Sequence, residues 1–450
     1  MNIDSLDPNV FAPASRAAWL KLVDRALKGA DFQEALVSRT DDGIAIEPLY
    51  ARRSDTTPLA RRHIDRPWMV SQRMDDPDIE RAFTQLDEDI ANGASGVNLI
   101  SKASPSAFGV GIDADIEAFA ARLAASVSGN AVSLRLDGLS PAFAAALASA
   151  FATSQHLPTM HFGLDVFASK GMAQEMTESF RRLRDTGFAG TLVNADGRAV
   201  HNAGGTEAQE LAVMAAALVG HLKLLDQASI APEATLNAAS LCLSADQNQF
   251  VTMAKARAAR MIFARIAEVC GISHPPTAHL YMETSYRMLT RLDPETNILR
   301  NTIAVFSAGT GGADEISVLP HSLTHGIPDP LARRLARNTQ TVLIAESHLD
   351  HVVDPAAGAG GIEALTETLA EKAWEIFVGI ERNGGLAEII ASGRLAAMVA
   401  EAKTNRAAKP IVGTTLFAAK AERSVVILGE LGPVAECMGL APVRLDEVAA

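Results

Sequence analysis

The length, composition and charge of this chain exclude several classes of protein. Its 450 residues exceed the usual size of one domain, 48% of them are hydrophobic, and the formal net charge is −13. Acidic residues are spread along the chain, so the concentrated basic surface that a nucleic acid requires is not expected. The N-terminus lacks the basic and apolar regions of a signal peptide, and no apolar run approaches the roughly 20 residues that span a bilayer. These features predict a cytoplasmic protein with neither a nucleic-acid nor a membrane partner.

The N-terminal residues 1–65 are predicted to form an arm and a linker. One amphipathic helix is predicted around residues 15–32, and a linker rich in Pro and Arg follows over residues 52–68. The helix carries an apolar stripe that consists of Leu22 and four candidate interface residues: Trp19, Leu20, Val23 and Leu27. An arm that wraps around a partner would bury this stripe. The alternative is that the helix packs on its own domain.

From residue 93 onward, strand-like and helix-like segments alternate. Short apolar, β-branched runs predict eight strands, near residues 95–100, 131–137, 158–165, 190–196, 234–244, 278–285, 314–320 and 349–355. Each run is followed by a stretch with helical spacing of apolar residues. Eight such units predict an α/β fold, a closed (β/α)8 TIM barrel, which we place over residues 66–390. A C-terminal helical and linker segment is predicted over residues 391–450.

Barrel enzymes carry their functional residues at the carboxyl ends of the strands, which gives a set of candidates. These are Lys102, Ser104, Asp137, Asp165, Asn194, Asp196, His201, Asp246, Gln247, Asn248, Thr284, Tyr286, Arg287, His321, His325 and Asp354. Most of them are equally expected as helix caps or turn residues. Thr206 and Gln209, for example, stand at the spacing of a capping box after the Gly-rich turn that contains His201.

Signals for metals, nucleotides and disulfides are weak. The pair His321 and His325 lacks a third ligand in sequence, and the Gly-rich stretches over 309–314 and 356–363 match neither a dinucleotide nor a phosphate-binding loop. The three cysteines follow neither metal-ligand spacing nor a disulfide framework: Cys242, Cys270 and Cys437. We expect them to be buried small hydrophobic residues in a reducing compartment.

The second half of the chain resembles a known family. The segments METSYRMLTRLDPETNILRNTIAVFSAGTGGADEISVLPH (282–321) and PDPLARRLARNTQTVLIAES (328–347) resemble the acyl-CoA mutase barrel of the methylmalonyl-CoA mutase family. Residues 17–50 resemble the small, or beta, subunit of its two-chain bacterial members. The resemblance implies a large, or alpha, subunit as partner, with adenosylcobalamin bound in that partner.

The resemblance also implies that catalytic groups have been replaced. In active members, the loop that matches residues 197–205 carries a Tyr and a His, which correspond to Arg198 and Ala199, and His201 falls two residues late. Two further degenerate positions are Arg73, in place of a Tyr, and Gly163, in place of a polar strand-end residue. The DxHxxG loop that supplies the cobalt ligand in the family does not occur in this sequence. The resemblance therefore implies no catalytic, cofactor-binding or metal-binding residue in this chain.

Three functional hypotheses remain open from the sequence. The first is a non-catalytic structural subunit that stabilises a large subunit, which interconverts methylmalonyl-CoA and succinyl-CoA in propionate metabolism. The second is an active acyl-CoA mutase barrel that uses cobalamin on a separate chain. The third is a barrel that forms a homodimer when isolated and binds acyl-CoA or a chaperone without catalysis.

Overall fold

Eight parallel strands close into one barrel in the computed structural model, which describes residues 14–59, 66–152, 157–168 and 173–448. The strands are β1 (Met69–Met74), β2 (Gly96–Ile100), β3 (Ser133–Asp137), β4 (Thr159–Leu164), β5 (Gly190–Asp196), β6 (Ala239–Ala245), β7 (His279–Thr284) and β8 (Glu315–Ser317). Each strand pairs with its neighbour in sequence, and β8 pairs with β1 to close the barrel. The predicted (β/α)8 fold is confirmed.

A helix follows each barrel strand and covers the outside of the sheet. In chain order these helices are Ile79–Ala91, Ile116–Val127, Pro141–Phe151, Ala173–Arg184, Glu207–Gln227, Gln249–Val269, Thr296–Thr310 and Pro330–Ala345. Shorter helices and the C-terminal helices are Arg198–Asn202, Pro232–Asn237, Gly360–Arg382, Leu386–Ala391, Arg394–Asn405 and Leu445–Val448, with a 3-10 turn at Tyr286–Met288. The predicted capping box is present, because Thr206 and Gln209 exchange side-chain-to-backbone hydrogen bonds.

One predicted strand is wrong, and another begins later than predicted. Residues 349–355 form turns, and Val352 is 56% exposed there, so the eighth barrel position belongs to β1 instead. The segment of β1 lacks an apolar run because Ser71, Gln72 and Arg73 are buried polar residues, so periodicity misses it. The strand predicted near residues 234–244 starts only at Ala239, after a short helix.

The N-terminal arm is tied to the barrel at its C-terminal part. Two short helices, Arg16–Leu27 and Phe32–Leu36, precede a small hairpin that pairs Ser38–Arg39 with Ala45–Ile46. Behind the hairpin, the guanidinium of Arg53 bonds the carboxylate of Glu367 at 3.1 and 3.2 Å. The helix Arg16–Leu27 itself has no buried residue. Leu20 and Leu22 of its apolar stripe are exposed, and Trp19, Val23 and Leu27 are partly buried.

One helix of the described part, Glu207–Gln227, is long and apolar enough to cross a membrane by length and composition. This differs from the expectation that no apolar run approaches that length. However, 72% of its most apolar stretch is buried inside the protein, against the barrel strands and neighbouring helices. A helix that is buried on all sides is expected to be hydrophobic all round, so the composition of this helix is only weak evidence for a membrane span.

Candidate functional site

The carboxyl end of the barrel axis is filled by the guanidinium of Arg198. Its Nη2 lies 2.5 Å from Asp196 and 2.9 Å from Asp137, and its Nη1 donates to Ser106 Oγ at 2.7 Å. Arg198 is 1% exposed and starts the short helix after β5. Burial raises the pKa of Asp196. At Asp137 burial acts in the same direction, but Arg198 and the hydrogen bond from Ser104 together lower the pKa of that carboxyl.

Arg73, on β1, fills the neighbouring part of the axis and shares partners with Arg198. Its Nη1 donates to Glu283 Oε1 at 2.6 Å, and its Nη2 donates to the carbonyl of Ser106 at 2.6 Å. The other oxygen of Glu283 lies 3.5 Å from Arg198. Arg73 and Arg198 are therefore coupled through one buried glutamate.

Arg198, Arg73 and their carboxylate partners begin a column of buried charged side chains along the barrel axis. This column continues toward the amino end of the barrel. The guanidinium carbons of Arg135 and Arg198 lie 4.2 and 5.2 Å from the ring centroid of Tyr281. Arg135 pairs in turn with Glu315 at 2.8 Å, and Asn98 donates to the Tyr281 hydroxyl at 2.7 Å. All five side chains are buried, so the axis is a packed core rather than a channel.

The cavity beside Arg198 at the barrel axis is too small for a substrate. A cavity of about 20 Å³ lies among Asp137, Gly163, Asn194 and Asp196, which is room for about one water molecule. The sequence places degenerate family positions at this point, and the structure brings Gly163 and Arg198 to it. Ala199 follows Arg198 and is buried beside it.

The C-terminal segment covers the barrel mouth. Gly432 donates its N–H to the carbonyl of Gly109 at 2.7 Å, and Val443 donates to the carbonyl of Asn202 at 2.8 Å. Between these contacts, Cys437 and Leu440 pair across a two-residue turn, and their side chains are buried. Burial raises the pKa of the Cys437 thiol, which lies near Asp196 and Arg198.

His201 is a core residue beside the axis. Its Nε2 lies 2.8 Å from Ser285 Oγ, and its Nδ1 lies 3.3 Å from carboxylate oxygens of Glu207 and Glu210. Lys255 forms ion pairs with both glutamates, and it is fully buried with them. The histidine is thus held in a structural ion network, with no opening to solvent (0% exposed).

The remaining candidates are distributed over separate structural roles. Arg287 pairs with Asp246, Asn248 donates its N–H to the Asp246 carboxylate, and Gln247 lines a side pocket of about 240 Å³. Other roles are seen for Lys102 (exposed pair with Asp113), Ser104 (donor to Asp137), Asp165 (turn after β4), Thr284 (acceptor from Leu319 N–H), Tyr286 (stacked on Phe108) and Asp354 (paired with Arg257). They do not form one catalytic group.

The pair His321 and His325 gains no third ligand from the described residues. His325 lies 3.3 Å from Glu422, and burial lowers the pKa of both imidazoles. Among the cysteines, Cys242 and Cys437 are buried as expected, but Cys270 is exposed, because it lies at the end of the helix Gln249–Val269.

The residues that sequence reasoning missed lie mostly within the strands. Arg135, Tyr281, Glu283 and Glu315 form much of the axis from positions inside strands, and Asp75 joins them directly after β1. The one available signal was a charge inside an apolar run, such as Arg135 in SLRLD. A buried charge needs a buried partner, which sequence alone does not identify.

Asp75 predicts a specific pH dependence of stability. Burial would raise the pKa of Asp75, but Arg333 and Arg73 lower it to about 2, from 3.8. A carboxyl whose folded pKa is lowered stabilises the fold above its unfolded pKa, and this stabilisation is lost as the pH falls from about 4 to 2. We expect Asp75→Asn to cost about 2 kcal/mol of unfolding free energy at pH 5, and progressively less below pH 4.

Urea unfolding of wild type and variant at pH 5, 4 and 3 measures this difference. The exposed Asp55, paired with Arg53 at 3.1 Å, provides the control, since Asp55→Asn should leave stability at pH 5 nearly unchanged. A deficit of the Asp75 variant that is constant over this pH range would contradict the assignment.

Gly163 is required by the backbone of β4. Its φ is +65°, and a Cβ would lie 2.1 Å from the carbonyl oxygen of Leu136, where the register with β5 shifts. We expect Gly163→Ala to cost more than about 2 kcal/mol in chemical denaturation. Gly187 provides the control, because its φ is +82° and no atom lies within 4 Å of its Cβ position. Gly187→Ala should therefore cost only the backbone contribution to the free energy of unfolding, about 1–2 kcal/mol. Equal costs would show that the contact with Leu136 is unimportant.

Adenosylcobalamin does not fit the described mouth. A corrin ring needs a broad open face, and the resemblance to the family implies a histidine ligand for cobalt. Here the turn Cys437–Leu440 lies over this end, and His201 is buried against Ser285. No step of a reaction is therefore assigned to the cofactor on this chain.

Comparison with known proteins places this barrel in one family. The family model described as methylmalonyl-CoA mutase matches residues 167–429. The methylmalonyl-CoA mutase small subunit of Streptomyces virginiae is 33% identical over 97% of this chain and 75% of the relative. A probable small subunit of Mycobacterium tuberculosis (H37Rv) is 44% identical over 48% of this chain and 35% of the relative. The small subunit of Propionibacterium freudenreichii is 33% identical over 59% and 44%, respectively.

These matches agree with the resemblance of the N-terminal arm and of the second half of the sequence. The chain spans between about a third and three quarters of the length of these relatives. The match to the family model and to a small subunit over nearly the whole chain is sufficient for classification. The chain belongs to the methylmalonyl-CoA mutase family.

Proposed function

We propose that this chain is a non-catalytic small subunit of a two-chain methylmalonyl-CoA mutase. The observation that carries the proposal is the filled barrel axis. Arg73 and Arg198 occupy its carboxyl end and are neutralised by Glu283, Asp137 and Asp196. A substrate would have to displace buried ion pairs, and leaving such charges without partners costs several kcal/mol.

The same observation argues against an active barrel served by a separate cobalamin chain. Active sites present polar groups to the position of the reacting atoms, with room for the substrate. Here the guanidiniums of Arg73 and Arg198 point at carboxylates and at Ser106, and the cavity beside Asp137 and Asp196 measures about 20 Å³. The chain's own contribution is then structural, and the cofactor and the reaction belong to the partner.

The N-terminal arm supports a large subunit as the partner. The relatives are named small subunits, and the helix Arg16–Leu27 contributes no buried residue to its own chain. Leu20 and Leu22 are 39% and 61% exposed. Burying such side chains against a partner stabilises a complex by about 1.5–3 kcal/mol each. We propose a cytoplasmic location for this complex, in keeping with the absence of a disulfide among the described cysteines.

Mutase turnover tests the proposal. Methylmalonyl-CoA and adenosylcobalamin are supplied to the large subunit alone, to this chain alone, and to both after coexpression. We expect this chain to be inactive alone, to copurify one-to-one with the large subunit, and to raise its melting temperature. Turnover by this chain after addition of a free cobalamin-binding chain would contradict the proposal and favour the active barrel.

A further inference from the structure

The amino end of the barrel holds metal-ligating side chains that the proposed function does not use. His161 lies on β4, His279 on β7 and Glu315 on β8, and each is at most 1% exposed. One nitrogen or oxygen ligand atom from each residue lies within 4.8 Å of the other two. All three positions are fixed by the hydrogen-bonded barrel, so the group is held on a rigid scaffold.

The hydrogen bonds around these side chains orient them toward one another. His161 Nδ1 lies 2.8 Å from Thr191 Oγ1, which fixes the orientation of the imidazole ring. His279 Nε2 lies 3.2 Å from Glu315 Oε2. A polar partner on the second ring nitrogen is the usual outer contact of a metal-binding histidine. We propose that His161, His279 and Glu315 bind one divalent transition-metal ion such as Zn²⁺.

The donor set suits this class of ion. Two imidazole nitrogens and one carboxylate oxygen are a common zinc set that leaves a coordination position open. Hard cations such as Mg²⁺ prefer oxygen ligands and are disfavoured here.

A second cluster in the barrel provides a contrast. His201, Glu207 and Asp246 also offer atoms within 4.8 Å of one another. There, however, Lys255 and Arg287 already pair with the carboxylates. Two buried cations neutralise that cluster, whereas one cation, Arg135, pairs with Glu315 at the amino end, so the proposal concerns the amino end alone.

Binding requires a small rearrangement, and the structure has room for it. The two imidazole rings are stacked, with centroids 4.1 Å apart and planes 20° apart. An ion in the plane of both rings requires the planes to open, because Zn–N bonds are about 2.0–2.1 Å long. A cavity of about 710 Å³ lies against His161 and His279 and gives both the space and a route for the ion.

The charges around the proposed site determine how tightly it is expected to bind a metal ion. Glu315 is paired with Arg135, so the group is neutral before an ion enters. Arg135 also donates to Asn194 at 3.3 Å and to Ser240 at 3.1 Å, and these contacts remain available when the carboxylate turns to the ion. The nearby guanidinium weakens binding of a dication compared with a site without a cation.

Titration of the full, untagged chain with Zn²⁺ and with Co²⁺ tests the proposal. Calorimetry should give one Zn²⁺ per chain, and Co²⁺ should develop visible absorption typical of nitrogen ligands. His161→Asn should weaken binding by at least about tenfold, as should Thr191→Val, which acts only by orienting the imidazole. The matched control is the surface pair His348 and His351, stacked at 4.8 Å, for which His348→Asn with His351→Asn should leave affinity unchanged.

Circular dichroism and thermal melting of the metal-free protein identify variants that do not fold. If His161→Asn or Thr191→Val does not fold, His279→Gln is measured in its place. Absence of stoichiometric binding by the wild type overturns the proposal without recourse to a variant. Affinity that depends on the surface pair, and not on His161, overturns it as well.

Discussion

Replacing Arg198 by methionine is expected to lower the free energy of unfolding by about 3–5 kcal/mol at neutral pH. Methionine keeps much of the side-chain volume and removes the charge. Asp137, Asp196 and one oxygen of Glu283 then stay buried without their cation. Urea denaturation of wild type and variant measures the difference.

An exposed arginine provides the matched control for this variant. Arg122 forms a comparable two-point contact with Glu80, at 2.5 and 2.9 Å, on the surface. Arg122→Met should cost less than about 1 kcal/mol, because exposed ion pairs contribute little. Similar losses of unfolding free energy for the two substitutions would mean that the buried ion pairs of Arg198 contribute no more than an exposed pair.

The pH dependence separates lost charge pairing from lost packing. As the pH falls from 7 toward 4, the carboxylates left by Arg198→Met take up protons, so the deficit relative to wild type should shrink. Adding Asp137→Asn and Asp196→Asn should recover part of the stability at pH 7, since amides need no counterion. A deficit that is independent of pH, with no recovery, would point to packing alone.

Charging the N-terminal helix is expected to abolish stable association with the large subunit. Leu20→Asp with Leu22→Asp should weaken the complex by roughly 10- to 100-fold for each residue that the partner buries. The melting temperature of the chain alone should stay the same, because the helix has no buried residue of its own. Copurification and calorimetric titration with the large subunit measure the two effects.

Leu299, which is 65% exposed on the helix Thr296–Thr310, is the control leucine. Leu299→Asp should leave association with the large subunit intact. Equal weakening by both substitutions would mean that the arm is not the specific contact. Weakening accompanied by a lower melting temperature of the isolated chain would instead place the apolar stripe in the fold of its own chain.

Much of the fold could be predicted from local pattern. The helical spacing predicted after the strand near residues 95–100 is observed as the helix Ile116–Val127, which begins at the cap Asp115. The capping box at Thr206 was equally readable. Such features depend on residues three or four apart, and their energetics are local. Local pattern did not predict strand β1, because its buried polar residues are stabilised by partners far along the chain.

The candidate site also combines features that the sequence predicted with features that only the fold revealed. The sequence placed Arg73, Gly163, Arg198 and Ala199 at degenerate family positions, and the comparisons confirm the family. It did not reveal that the arginines fill the axis. Arg73 and its partner Glu283 are 210 residues apart in sequence and meet only because β1 and β7 flank β8 in the closed barrel.

The sequence by itself determined the alternation of strands and helices, the apolar arm and the resemblance to the family, since each depends on residue type and short spacing. Only the tertiary structure decided that the barrel axis is a packed column of ion pairs covered by the C-terminal segment. The physical reason is that a buried charge is tolerated only beside its counterion. Closure of the barrel, which no local pattern encodes, brings those counterions together.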